Sequence, residues 1–142
     1  MAPLLQVLVV DDDAATRTLF RAVLERQGLT VTLAADGDEA LELLAAESFD
    51  AILLDLVMPG TDGVAVLRHL MLRSPESLQR VVVATAVPAA RLDPIPELQS
   101  VAAVLTKPLE IHCLTTEILA CVAASVVDRD VREASLDARR AN

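Results

Sequence analysis

The sequence predicts an α/β fold, a five-stranded parallel sheet with helices on both faces. Three observations lead there. Five short apolar runs recur along the chain, and segments of helical periodicity separate them. The runs at 6–10, 51–55 and 81–85 each end abruptly in a polar group, the mark of a strand leaving the core. The 142 residues, 54% of them hydrophobic, suffice for one full core and contain no linker, internal repeat or low-complexity stretch.

Residues 6–10 form the first strand and run into Asp11-Asp12-Asp13. Asp13 reads as the cap of the next helix, which leaves Asp11 and Asp12 unexplained at a strand exit. Leu19, Phe20, Val23 and Leu24 make the inward stripe of that helix, and Gly28 stops it. Residues 30–33 alternate as a second strand. Asp36, with Glu39 three residues on, forms a capping box for a helix burying Ala40, Leu41, Leu44 and Ala45. The run 51–55 is a buried central strand ending in Asp55, followed by the Pro59-Gly60 turn.

A third helix starts near Val64, turns Leu67, Leu70 and Met71 inward, and ends at Ser74-Pro75. Residues 80–85 are the fourth strand, finishing on Thr85. Pro88, Pro94 and Pro96 each lack a backbone donor, so no regular helix is expected over 87–100, only a short one near 96–101. Residues 101–105 are the fifth strand and lead into Thr106-Lys107-Pro108. A long helix begins near Leu109, with Ile111, Leu114, Ile118 and Val122 inward.

Composition excludes several functions. The two aromatic residues, Phe20 and Phe49, provide no platform for stacking bases, and a net charge of −9 repels nucleic acid and anionic membrane alike. The apolar start is too short to span a membrane and lacks the basic flank of a signal peptide, so a cytoplasmic location is expected. Cys113 and Cys121, about 12 Å apart on one helix, are out of disulfide reach and read as buried small hydrophobes. His69 and His112 are expected at the surface, away from any chemistry. No G-x-G-x-x-G follows the first strand, which removes a dinucleotide site.

The strand ends deliver Asp11, Asp12, Asp55, Thr85 and Lys107 to one edge of the sheet, the edge where open α/β folds bind ligands. Three neighbouring carboxylates raise one another's pKa unless a cation intervenes. Hard oxygen ligands suit Mg²⁺, and a hydroxyl and an ammonium beside it make a site for phosphoryl oxygens. Lys107 is the one lysine among twelve basic residues. A compact ammonium enters a confined site that a guanidinium does not fit.

Val9-Val10-Asp11-Asp12, Asp36-Gly37, the stretch from Leu54-Asp55 through Met58-Pro59-Gly60 to Asp62-Gly63, Thr85-Ala86 and Lys107-Pro108 together resemble a response-regulator receiver domain. The likeness is to the single-domain chemotaxis type and covers about residues 4–124. Residues 125–142 are left as a helix extension or a charged tail. The resemblance implies a flavodoxin-like sheet of order 2-1-3-4-5 and a phosphoacceptor role for Asp55, served by a histidine kinase or phosphotransfer protein and read by an unidentified downstream protein. It implies Mg²⁺ held by Asp12, Asp55 and the Val57 carbonyl, with Asp11 acting through water. Thr85 and Lys107 would each meet a phosphoryl oxygen, and catalysis would be confined to the domain's own phosphorylation and dephosphorylation.

The sequence departs from the family at three places. Val104 stands where receivers carry an aromatic on the fifth strand, and the proline-rich stretch replaces much of the fourth helix. Output is therefore expected through another surface, or the protein is a phosphate sink or shuttle. Val57 and Val87 cannot orient water by hydrogen bond, so a long-lived phosphorylated state is expected. Val127, Val131, Ala134 and Ala138 continue a helical stripe, with Asp128 and Arg132 at pairing distance. Two readings of it stay open, a dimerisation helix and a frayed tail. A phosphorylation-independent interaction scaffold competes with the phosphoacceptor. A phosphohydrolase is disfavoured because Val57 stands where its second acid is needed.

Overall fold

The computed structural model describes residues 4–87 and 95–140. Five parallel strands, β1 (Gln6–Val10), β2 (Thr30–Ala34), β3 (Ala51–Asp55), β4 (Val81–Thr85) and β5 (Ala103–Thr106), pair in the order β2-β1-β3-β4-β5. The α-helices are α1 (Ala14–Glu25), α2 (Gly37–Ala46), α3 (Gly63–Arg73) and α4 (Ile111–Arg140). The order follows from β1, β3 and β4 being the strands buried along nearly their whole length. These occupy the centre, and the partly exposed β2 and β5 take the edges.

Alternate residues of each central strand feed opposite layers. Leu8, Val10, Ile52, Leu54, Val81 and Val83 pack with Ala40, Val66, Leu67 and Leu70 of α2 and α3. Val7, Val9, Leu53, Val82 and Ala84 pack with Phe20 and Leu24 of α1 and with Leu114, Ile118 and Val122 of α4. The aliphatic composition suffices for both layers. At about 25 cal/mol per Å² of apolar surface removed from water, each fully buried Leu or Val contributes on the order of 2 kcal/mol.

Helix starts follow the sequence. Asp13, Asp36 and Asp62 cap α1, α2 and α3 by accepting from Thr16, Glu39 and Ala65 N–H groups. Glu39 reaches back to the Ala35 N–H, completing the box one residue earlier than the cap's own amide.

Several expectations are corrected. Leu19 is half exposed, because the buried arc of α1 centres on Phe20 and Leu24, a full turn apart, and Leu19 falls outside it. Ala45 is exposed and Leu43 packs in its place. Ile111 is also half exposed, since α4 begins there, two residues later than expected, before the helix settles on the sheet. Cys113 is exposed, whereas Cys121 is buried. The fifth strand is 103–106 rather than 101–105, and Arg80 belongs to a 3₁₀ helix, Pro75–Arg80, that the sequence did not suggest. That turn inserts the fully buried Leu78 under the sheet. The short helix after the prolines is 3₁₀, Pro96–Gln99. The expectation about Pro88 and Pro94 lies outside the described residues.

At the sheet end where β1 and β3 begin, Asp50 is buried. Its Oδ2 accepts from the Gln6 N–H at 2.7 Å and its Oδ1 from the Ser125 hydroxyl at 2.8 Å. Arg129 Nη2 lies 3.0 Å from Oδ1, an ion pair too bent to count as a hydrogen bond. This carboxylate ties the start of the sheet to the middle of α4. By length and composition α4 could cross a membrane, yet the apolar face of its first half is the one packed on the sheet.

Candidate functional site

The opposite end of the sheet gathers the polar strand exits. In register, Asp55 pairs with Ala84, and Thr85 with Thr106, so the ends of β3, β4 and β5 lie side by side. Asp11 follows β1 and donates its N–H to Ala34 at the end of β2. Parallel strands from one sheet bring residues far apart in sequence together here.

Asp11 and Asp55 are buried and Asp12 is exposed, and one carboxylate oxygen from each lies within 4.8 Å of the others. Lys107 Nζ donates to Asp11 Oδ2 at 2.8 Å and to Asp55 Oδ2 at 3.4 Å. Burial pushes the Asp55 carboxyl above its ordinary range, against the lowering pull of Lys107 and of the Val57 N–H. Burial works against the charge on Lys107 too. The hydrogen bond to Asp11 and the charges of Asp11 and Asp55 outweigh it, so the ammonium sits above its usual range. Among the described residues Lys107 alone pairs with these carboxylates, which leaves the cluster short of positive charge. An oxygen-only donor set of this kind fits a small hard divalent ion.

Each side chain is held from behind. Val57 donates its N–H to Asp55 Oδ1 at 3.2 Å, so the residue expected to act through its carbonyl also orients the acid. Thr85 is fully buried, and its Oγ1 accepts from the Val87 N–H at 3.1 Å, which leaves the hydroxyl proton available. Lys107 follows β5, with its N–H on the Thr85 carbonyl and a cis bond to Pro108. Asp11 Oδ1 accepts from the Asp13 N–H at 2.9 Å.

Three residues take supporting roles that the sequence reading did not assign. Arg17 reaches back from α1 to the Asp11 carbonyl at 2.7 Å. A basic residue one turn into a helix that follows three acids was the available signal. Gly37 and Gly63 are set by contact. A Cβ on Gly63 would lie 2.2 Å from the Asp55 carbonyl oxygen, and one on Gly37 would lie 2.2 Å from that of Thr61. Their N–H groups donate to Leu56 and Thr61, fixing the loop after Asp55 against α2 and α3. Val104 is on β5 and partly exposed, and Val57 projects its side chain into solvent. His69 and His112 belong to α3 and α4 and play no part in the cluster.

Comparison with known proteins agrees with this geometry. Residues 7–119 match the family described as the response regulator receiver domain. The chain is 48% identical over 65 residues to the transcriptional regulatory protein ResD of Bacillus subtilis, covering 46% of this chain and 27% of ResD. It is 51% identical over 65 residues to the response regulator MprA of Mycobacterium ulcerans, covering 46% of this chain and 28% of that protein. The matches thus span little more than a quarter of these relatives. The name of ResD describes that whole protein, so the expectation of no nucleic-acid contact rests here on charge alone.

Among solved structures, the receiver domain of the Francisella response regulator 1452 matches with TM-score 0.74 and 30% identity, over 84% of this chain and 98% of that one. TrrA of Thermotoga maritima, solved in complex with Mg²⁺-BeF, matches with TM-score 0.72 and 24% identity, over 82% and 97%. At that identity the likeness to TrrA speaks for the fold. Sheet order, strand-end cluster and family match converge: the chain belongs to the response regulator receiver domain family, the phosphoacceptor modules of two-component signalling.

Proposed function

We propose that Asp55 is the phosphoacceptor, that Asp12, Asp55 and the Val57 carbonyl hold one Mg²⁺ with Asp11 acting through water, and that the donor is a phosphohistidine of a histidine kinase or phosphotransfer protein. The observation that carries this reading is the meeting of three carboxylates and the chain's one lysine at a single sheet edge.

In the reaction an Asp55 oxygen attacks phosphorus. The P–N bond breaks, its electron pair stays on the imidazole nitrogen, which solvent protonates, and an aspartyl acyl phosphate remains. Bound Mg²⁺ would supply charge neutralisation between the carboxylates and the phosphoryl oxygens. Lys107 offers a point charge to one phosphoryl oxygen, and the Thr85 hydroxyl donates its proton to another. The Val57 N–H steadies Oδ1 of Asp55. Catalysis by the chain is limited to its own phosphorylation and dephosphorylation.

Residues 4–124 make up this module, 125–142 are the extension of its last helix, still tied to the sheet through Ser125, and the setting is cytoplasmic. The partly exposed Val104 supports an output that does not use an aromatic on β5, through another surface or as a phosphate sink or shuttle. A phosphorylation-independent scaffold would keep the same cluster, and phosphorylation by acetyl phosphate separates the two readings.

Incubation with acetyl phosphate and Mg²⁺ tests the proposal by mass spectrometry. One phosphoryl adduct is expected, absent with EDTA and in Asp55→Ala. An adduct that survives in Asp55→Ala overturns it. With Val57 and Val87 beside the acceptor, the adduct is expected to outlast minutes, and a half-life of seconds would count against that part.

A further inference from the structure

Helix α4 has two unlike faces. Leu114, Ile118, Cys121, Val122 and Ser125 face the sheet and are buried. Ala120, Ala124, Val127, Val131, Ala134 and Ala138 are all exposed. Their spacings of four and three residues form one stripe about 27 Å long at 1.5 Å per residue. At 3.6 residues per turn, the stripe lies roughly 150° around the axis from the sheet-facing residues. It therefore points into solvent, and the hydrogen bond from Ser125 to Asp50 fixes that roll.

Beyond Arg129 every described residue of the helix is exposed. That projecting segment is roughly 16 Å long, a length at which an isolated helix in water is marginal. The charges nearest the stripe are acidic: Asp128 borders one side, and Asp130 and Asp137 border the other. Arg129, Arg132, Glu133, Arg139 and Arg140 lie farther round the helix.

We infer that this stripe is a docking seam for an amphipathic partner helix whose own apolar stripe is flanked by lysine or arginine. The charge pattern selects that partner over a second copy of the chain. An antiparallel pair of copies that stacks Val127 on Val131 sets Asp128 against Asp128 and Asp130 against Asp130, and like charges at such positions repel. A parallel pair offers these acids no cation. A basic partner satisfies all three. The net charge of −9 opposes an anionic bilayer as the alternative cover. The inference stands independently of the phosphoacceptor proposal, since no residue of the strand-end cluster enters it.

The probe is a labelled peptide copying residues 117–140 with D128K, D130K and D137K, titrated against the full-length protein by fluorescence anisotropy. The native-sequence peptide is the control. The charge-swapped peptide is expected to bind roughly tenfold more tightly, because two facing acid pairs become ion pairs, and to weaken with salt. Val127→Asp with Val131→Asp in the protein should abolish binding while leaving its melting temperature unchanged, since both side chains are exposed. Arg132→Glu with Arg139→Glu should leave binding intact. Equal binding of both peptides, or none, overturns the inference. So does dimerisation of the protein in sedimentation velocity, or its cosedimentation with phosphatidylglycerol vesicles.

Discussion

Replacing Asp50 with Ala isolates the structural role of the sheet end remote from the acidic cluster. The carboxylate accepts from the Gln6 N–H and the Ser125 hydroxyl, and Ser125 is itself buried. Truncation leaves both donors without a partner, at about 1–2 kcal/mol each. The Arg129 pair adds little. Its arginine side chain is 39% exposed and poorly aligned, so solvent screening holds it below about 1 kcal/mol. The expected loss is about 3 kcal/mol. For a domain of this size that lowers the melting temperature by roughly 10 °C. With an m-value of about 2 kcal/mol/M, the urea midpoint should fall by about 1.5 M at unchanged m. Urea unfolding followed by circular dichroism reads this directly. A double-mutant cycle with Ser125→Ala should show coupling above about 0.5 kcal/mol. A loss under about 1 kcal/mol, or strict additivity, would refute the claim that Asp50 locks α4 to the sheet.

Gly63→Ala should destabilise the fold by about 3 kcal/mol or more, because the added methyl meets the fixed Asp55 backbone rather than a yielding side chain; calorimetry showing an unshifted transition would contradict the contact. The pKa of Asp55 is raised in the fold, chiefly by burial, so the native state holds its proton more tightly than the unfolded chain does. The stability Asp55 contributes is then complete below about pH 3.8 and lost as pH rises through the higher folded value. In EDTA, Asp55→Asn should thus be more stable than the parent at pH 7, with the gap closing toward acid. Matched urea titrations giving a pH-independent gap would reject this. Cys113 should react with Ellman's reagent in the native protein. Cys121, buried and with its thiol pushed up to about 11, should react only after denaturation; two equally fast thiols would count against the packing of α4.

Much of the fold was legible because the signals are local. Residues 7–10, 51–54 and 81–84 are apolar without interruption, and Asp13 and Asp36 mark the first two helix starts. Pure apolar periodicity erred at helix rims. Leu19, Ala45 and Ile111 match the pattern, but the buried arc is set by where the neighbouring layer ends. The 3₁₀ turn at Pro75–Arg80 carries no periodic signal in so few residues.

Which groups each strand delivers can be read along the chain, since an apolar run that ends must release its next polar residues at the sheet edge, and so Asp11, Asp12, Asp55, Thr85 and Lys107 were identifiable as strand-exit groups. How they meet and what supports them depends on the packed fold. The 2.8 Å bond from Lys107 to Asp11, the reach of Arg17, the backbone pressed against Gly63 and the partners of Asp50 all join residues distant in the chain. Such contacts are fixed by the packing of layers and the register of parallel strands, which no local pattern encodes.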